Sequence, residues 1–199
     1  MHEEVIIAGF GGQGILFAGQ ILAQAALIRG LHVTWLPSYG PEMRGGTAHC
    51  TVVISDDEIG SPVVHRPSCA IVLNAPSFEK YEPLVAPGGI LVYNSSLIEA
   101  SSARTDVSFV AIAANQIAQE LGDLRVANMA ALGALVAASS GLRQGIGLDT
   151  IAAALEEHLP QRHRDRLPQN LMALRRGADV VREHSMGSGP HGRGITSTV

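Results

Sequence analysis

The sequence predicts an α/β fold, a three-layer sandwich in which a mainly parallel sheet carries helices on both faces. Three observations predict it. Short runs rich in β-branched residues alternate with helical segments along most of the chain. Hydrophobic residues make up 46% of the chain and aromatic ones only 4%, so the core must be built from Ala, Val, Ile and Leu, which suits buried parallel strands. The first apolar run also passes through a cluster of glycines into a long apolar segment, which reads as strand, turn and helix.

The elements follow in order. Val5-Ile6-Ile7-Ala8 is the first strand, and Gly9-Phe10-Gly11-Gly12-Gln13-Gly14 is the turn. Residues 14–29 form a helix that is apolar almost all the way round, from Ile15, Leu16 and Phe17 to Leu27 and Ile28, and such a helix is buried on more than one side. Leu31 to Leu36 is the second strand, running into Pro37-Ser38-Tyr39-Gly40, the start of a loop to the third strand. Thr47 to Ile54 is the third, stopped by Ser55-Asp56-Asp57. Ala70–Leu73 and Ile90–Tyr93 are short buried strands, separated by a helix over Pro76–Tyr81 and a turn at Pro87-Gly88-Gly89. Val107–Ile112 is a further strand, followed by a helix from about Asn115 to Leu121.

The last third is helical. Ala127 to Ser139 is a second nearly all-apolar helix, Gly141–Gly147 a linker, and Asp149 the expected cap of a helix reaching about His158. Residues 168–184 are helical and more charged. The reading is one α/β domain over 1–184 and a Gly/Ser/His-rich tail over 185–199, expected to be flexible because it has almost nothing to bury. Two helices without a polar face exceed what one chain of this size readily hides, so partner subunits are expected.

Charge and cysteine content narrow the function. The net charge is -4, and Lys80 is the one lysine among fourteen basic residues. The cluster Arg162, His163, Arg164 and Arg166 is broken by Asp165 and lacks an adjacent aromatic residue, so it reads as a solvated or subunit-facing surface and no nucleic-acid partner is expected. Cys50 and Cys69 stand far apart without CxxC spacing, so they read as small buried hydrophobes, with no metal or iron–sulfur site on this chain. No secretory or membrane-spanning pattern is found, which predicts a cytoplasmic protein without membrane contact.

The glycine turn carries the chemistry. It leaves backbone amides uncovered, and the helix behind it directs free N–H groups and the positive end of its dipole at the turn, where an anion is the natural guest. Gly9, Gly11 and Gly14 also satisfy GxGxxG, but a dinucleotide site needs an acid at the end of the second strand to hold a ribose. The nearest acid is Glu42, beyond a proline. A free-standing dinucleotide-binding module is therefore kept only as an alternative. The second motif, Leu36-Pro37-Ser38-Tyr39-Gly40-Pro41-Glu42-Met43-Arg44-Gly45-Gly46, fixes a loop from which Tyr39, Glu42 and Arg44 project. Either Glu42 and Arg44 pair to order the loop at an interface, or Arg44 offers a forked donor to a carboxylate or phosphate with Glu42 orienting it. The candidate ligand-binding residues are Gly9, Gly11, Gly12, Gln13, Gly14 and Arg44, and no side chains assemble into a catalytic constellation.

These motifs together resemble a known family. GFGGQG near the start, TWLPSYGPEMRGG after the second strand, AHCTVVIS on the third and IGSPVV beyond it are similar to the gamma subunit of the 2-oxoacid:ferredoxin oxidoreductases. The likeness is greatest to the 2-oxoglutarate and 2-ketoisovalerate types, and it continues through Leu73-Asn74-Ala75-Pro76-Ser77, Tyr93-Asn94-Ser95-Ser96, Asn128-Met129, Ala131-Leu132-Gly133-Ala134 and Asn170-Leu171. The resemblance implies a non-catalytic subunit of an assembly that converts a 2-oxoacid, with 2-oxoglutarate favoured, and coenzyme A to acyl-CoA and carbon dioxide while reducing ferredoxin. It also implies alpha and beta partners, with or without a delta subunit, that carry thiamine diphosphate, magnesium and the iron–sulfur clusters. A pure scaffold that touches no small molecule is the other reading of the same resemblance. His49 stands where the resemblance leads one to expect a small polar residue such as asparagine.

Overall fold

The computed structural model describes residues 1–39 and 47–187. Its strands are β1 (His2–Phe10), β2 (His32–Tyr39), β3 (Thr47–Ser55), β4 (Cys69–Val72), β5 (Ile90–Asn94) and β6 (Ser108–Ile112). They form one sheet in the order β2-β3-β1-β4-β5-β6. Strands β1, β4, β5 and β6 are parallel neighbours, while β3 runs antiparallel to both β1 and β2. The sheet is thus mixed and mainly parallel. The antiparallel part has a simple cause: residues 40–46 are fewer than the roughly dozen that a parallel crossover needs, so β2 turns straight back into β3.

That arrangement corrects the expected end of the second strand at Leu36. Strand β2 continues through Pro37 to Tyr39, with Pro37 paired opposite Cys50. It is the edge strand of the sheet, where a residue without an N–H is tolerated. Strand β3, whose Cys50, Val52 and Ile54 are fully buried, takes the interior position between β2 and β1.

Alternation along β1 divides the core. Val5 and Ile7 point to a large cluster shared with α1 (Ile15–Ile28) and α4 (Ala127–Ala138), and Ile6 and Ala8 to a smaller one with Phe78, Tyr81 and Val85. The short α2 (Ala75–Tyr81) covers the second face, its start capped by Asn74 Oδ1, which accepts from Ser77 N–H at 2.8 Å. Phe78 meets Tyr93 edge-on at 5.8 Å. On the first face α3 (Ala114–Glu120), α6 (Leu148–His158) and α7 (Leu167–Gly187) pack around α4 and α1.

Three details depart from expectation. Every residue of α4 from Ala127 to Val136 is buried, and α1 buries Ile15, Ile21, Leu22 and four alanines, so the chain covers most of these two helices itself. Their composition therefore gives no reason to expect partners; among the described residues only the end of α1, Leu27 and Ile28, leaves large apolar side chains of these helices exposed. The expected linker begins with a tight left-handed turn, α5 (Ser140–Gln144), in which Ser140 to Arg143 all have positive φ. Asp149 lies in the first turn of α6, whose cap is Gly147 without a side-chain bond. The tail from 188 onward lies outside the described residues. Among the described residues, no helix is long and apolar enough to cross a membrane.

Candidate functional site

The glycine turn links β1 to α1 at the carboxyl end of β1, the same sheet edge at which the parallel strands β4 and β5 end. In open α/β sheets this edge is where ligands bind. The turn is held by side-chain amides. Gln13 Oε1 accepts from Phe10 N–H at 2.7 Å, and Gln13 Nε2 donates to the Leu73 carbonyl at 3.2 Å, tying the loop to the end of β4. Gly12 and Gly14 have φ of 99° and 73°, the left-handed region that glycine enters without steric cost. Gly14 is the cap of α1 and makes no side-chain bond to it, and no acidic residue occupies the first turn. The N–H groups at the start of this fourteen-residue helix are thus left without a capping side chain.

A cavity of about 290 Å³ opens beside Gly12 and Gly14, walled by Phe17, Leu159 and Pro160 and rimmed by Asp123, Arg125, Asn128, His163, Arg166 and Asn170. A second, of about 220 Å³, lies on the other side of the loop against Gln13, Leu73, Asn115, Leu124 and Arg125. Asp123 organises the rim of the first. Its carboxylate accepts two bonds from Arg125, Nε at 2.7 Å and Nη2 at 2.9 Å, and Arg166 Nε stands 3.9 Å away. The hydrogen bonds from Arg125 hold the Asp123 carboxyl below its ordinary pKa, and the same pair raises that of Arg125. One carboxylate is thus shared between two guanidinium groups beside these uncapped amides, and the charge of Asp165 also acts on Arg125.

The structure sorts the residues singled out in the sequence. Gly9, Gly11, Gly12, Gln13 and Gly14 come together at this edge. Tyr39 ends β2 one register step from the end of the sheet, and Glu42 and Arg44 lie outside the described residues. Because Phe10 pairs with Thr47 and Gly9 with Ala48, the start of β3 lies at the same edge as the glycine turn. His49 sits opposite Ala8 on the other face of the sheet, its ring 5.6 Å from that of Tyr81. Burial, and then the charge of Lys80, lower its pKa from 6.5.

Sequence reasoning missed the rim. His163 and Arg166, set aside as a solvated or subunit-facing cluster, line the cavity, and His163 Nδ1 is buried without a hydrogen-bond partner. Asn128 was legible only as part of a motif; its Nδ2 donates to the Gly14 carbonyl at 2.8 Å. Asp123 and Arg125 carried no signal beyond their proximity to each other in the chain. Among the described residues no group of three or more His, Cys, Asp or Glu side chains is placed to hold a metal ion.

Comparison with known proteins adds to this geometry. A sequence model described as pyruvate ferredoxin/flavodoxin oxidoreductase matches residues 4–180. The chain is 40% identical over 183 residues to the ketoisovalerate oxidoreductase subunit VorA of Methanothermobacter thermautotrophicus, covering 92% of this chain and 37% of that protein. It is 33% identical over 186 residues to the 2-oxoglutarate synthase subunit KorC of Methanocaldococcus jannaschii, covering 92% of this chain and 96% of that subunit. Among solved structures, the 2-oxoglutarate:ferredoxin oxidoreductase of Magnetococcus marinus, described with 2-oxoglutarate, coenzyme A and succinyl-CoA bound, superposes with a TM-score of 0.81 at 25% identity, over 92% of this chain and 31% of that one. The chain thus spans little more than a third of VorA and nearly all of KorC.

Proposed function

This chain belongs to the pyruvate ferredoxin/flavodoxin oxidoreductase family, and we propose that it serves there as the gamma subunit of a 2-oxoacid:ferredoxin oxidoreductase. In that role it receives coenzyme A at the glycine turn while thiamine diphosphate, magnesium and the clusters reside on alpha and beta subunits. The observation that carries the reading is the convergence on one cavity of Gly12, Gly14 and the uncapped start of α1 with Arg125 and Arg166. Coenzyme A brings phosphates of the charge such a site accepts, and the apolar wall of Phe17, Leu159 and Pro160 suits the uncharged remainder of a nucleotide-bearing molecule. Arg44, between β2 and β3 in the chain, is proposed as a further donor to a phosphate or to a partner carboxylate, with Tyr39 and Glu42 ordering that loop.

The chain's own part in the reaction is to bind and orient. A dipole end and two guanidinium groups hold an anion without needing a proton transfer, so this site supplies position and the partner subunits supply the chemistry of decarboxylation. VorA and KorC are named for ketoisovalerate and 2-oxoglutarate respectively, and both compounds are 2-oxoacids. We favour 2-oxoglutarate, with a branched oxoacid as the alternative. The acceptor is proposed to be ferredoxin.

The test is isolation of the native complex by way of this chain, followed by assay of oxoacid-dependent and coenzyme A-dependent dye reduction. Co-purification of thiamine- and cluster-bearing subunits, with activity on 2-oxoglutarate, is the expected result. Replacement of Gly12 by leucine, which sets a side chain at the loop's surface where nothing lies within 4 Å and also strains a backbone with φ of 99°, is expected to raise the KM for coenzyme A. A chain that purifies alone and binds a dinucleotide tightly would replace this reading with that of a free-standing module. An intact complex whose coenzyme A kinetics ignore Gly12→Leu would leave a scaffold.

A further inference from the structure

We infer that Asn128 is the positioning residue of the glycine turn, setting the direction of its amides from the start of α4. The inference rests on the reading that those amides meet coenzyme A. Asn128 is 3% exposed and lies one residue inside α4. Its Nδ2 donates to the Gly14 carbonyl at 2.8 Å, and the same oxygen accepts Ala18 N–H at 3.0 Å, the first bond of α1. Both lone pairs of that one oxygen are therefore engaged, one by its own helix and one by α4. A carbonyl held from two directions fixes the plane of the peptide joining Gly14 to Ile15, and with it the line along which the Ile15 N–H points. Through the left-handed turn at Gly14, it also fixes the amides preceding it.

The fit is reciprocal. A Cβ on Gly14 would collide with Asn128 Nδ2, so the glycine leaves room for the amide that holds it. Asn128 Oδ1 accepts Met129 N–H at 2.8 Å, which dictates that the NH₂ end, and not the oxygen, faces Gly14. Gln13 braces the entrance of the turn against β1 and β4; Asn128 braces its exit, and it also lines the cavity. The two amides hold the turn between them, yet only Asn128 links it to the helix that follows the Asp123–Arg125 pair. Loop and rim are thereby kept in one frame.

The experiment compares Asn128→Asp, Asn128→Ala and Gly12→Leu in the assembled oxidoreductase. Aspartate keeps the shape and an acceptor for Met129 N–H but has no donor for the Gly14 carbonyl and sets an oxygen against it; alanine removes the donor together with the Oδ1 that accepts Met129 N–H. We expect Asn128→Asp to raise the KM for coenzyme A by about tenfold and Asn128→Ala by about fivefold, the scale of one lost buried hydrogen bond. The KM for the oxoacid and the subunit composition should not change. If Gly12→Leu raises the coenzyme A KM and neither Asn128 variant does, or if they lower only thermal stability, Asn128 is structural and the inference falls. If Gly12→Leu also leaves that KM unmoved, the coenzyme A reading itself is wrong. Should Asn128→Asp fail to assemble, Asn128→Ala carries the comparison alone.

Discussion

Gly133 of α4 and Gly177 of α7 are clearances for each other's helix. A Cβ on Gly133 would strike the carbonyl of Leu174, three residues before Gly177, and a Cβ on Gly177 would strike the carbonyl of Ala130, three residues before Gly133. The two backbones touch, which is how α7 closes over an α4 that has no polar face. Alanine favours a helix interior over glycine by about 1 kcal/mol, so these positions distinguish propensity from packing. Gly133→Ala and Gly177→Ala are each expected to destabilise by about 1–3 kcal/mol net, because overpacking against backbone outweighs the gain in propensity. Urea denaturation of the single and double variants checks this; the double should cost less than the sum, since one separation of the helices relieves both contacts. A net gain in stability would mean that the crossing is looser than described.

Arg125 and Arg166 should act on ligand affinity and not on turnover. Their side chains are 60% and 30% exposed, and they share the Asp123 carboxylate. Arg125→Ala and Arg166→Ala in the assembled complex are each expected to raise the KM for coenzyme A roughly fivefold at low ionic strength, with a smaller effect in 0.5 M salt. The scale is that of charge-assisted bonds partly screened by solvent. Steady-state kinetics at two salt concentrations is the measurement, and an effect on kcat alone would contradict it.

His49 should make the fold sensitive to mild acid. Its folded pKa is depressed, chiefly by burial, so the unfolded chain takes up a proton at higher pH than the folded one. The contribution of neutral His49 is therefore fully present above 6.5 and is lost as the pH falls from there through the lowered folded value. Denaturation midpoints of the wild type and His49→Asn between pH 8 and pH 5 should diverge, with the wild type losing more stability on acidification. Parallel curves would show that the ring is freely solvated.

Neither cysteine should be a sensor. Burial pushes both thiols up to about 12, and in Cys69 the negative charge of Glu3 adds to the effect. Cys50 Sγ is fully enclosed and donates to the Ile15 carbonyl at 3.6 Å. Neither thiol is expected to react with iodoacetamide at pH 8 in the folded chain, and both are expected to react in denaturant, as mass spectrometry would report. Rapid native labelling of either would place it at a surface that opens.

Most strands and helices were legible locally, because β-branched runs, helical apolar segments and glycine or proline stops need only neighbouring residues to be read. The glycine turn was legible for the same reason: Gly12 and Gly14 advertise a backbone conformation in the chain itself. Pro37 misled because its meaning depends on where the strand lies; the same residue that would break an interior strand is harmless at an edge, and edge position is a property of the sheet. Asp149 misled as a cap because the turn of Ser140–Gln144 and the docking of α6 put Gly147 at that place.

By itself, then, the sequence determined the layered α/β class, the glycine turn between β1 and α1 and the family, since each rests on local pattern or ordered motifs. Only the tertiary structure decided that β3 inserts between β2 and β1, that α7 buries α4 within the chain, and that Asp123, Arg125 and Arg166 gather beside Gly14 under the hold of Asn128. Those are contacts between residues far apart in the chain. Which of them form is set by the burial and carbonyl satisfaction of the whole core, and no single segment carries that information.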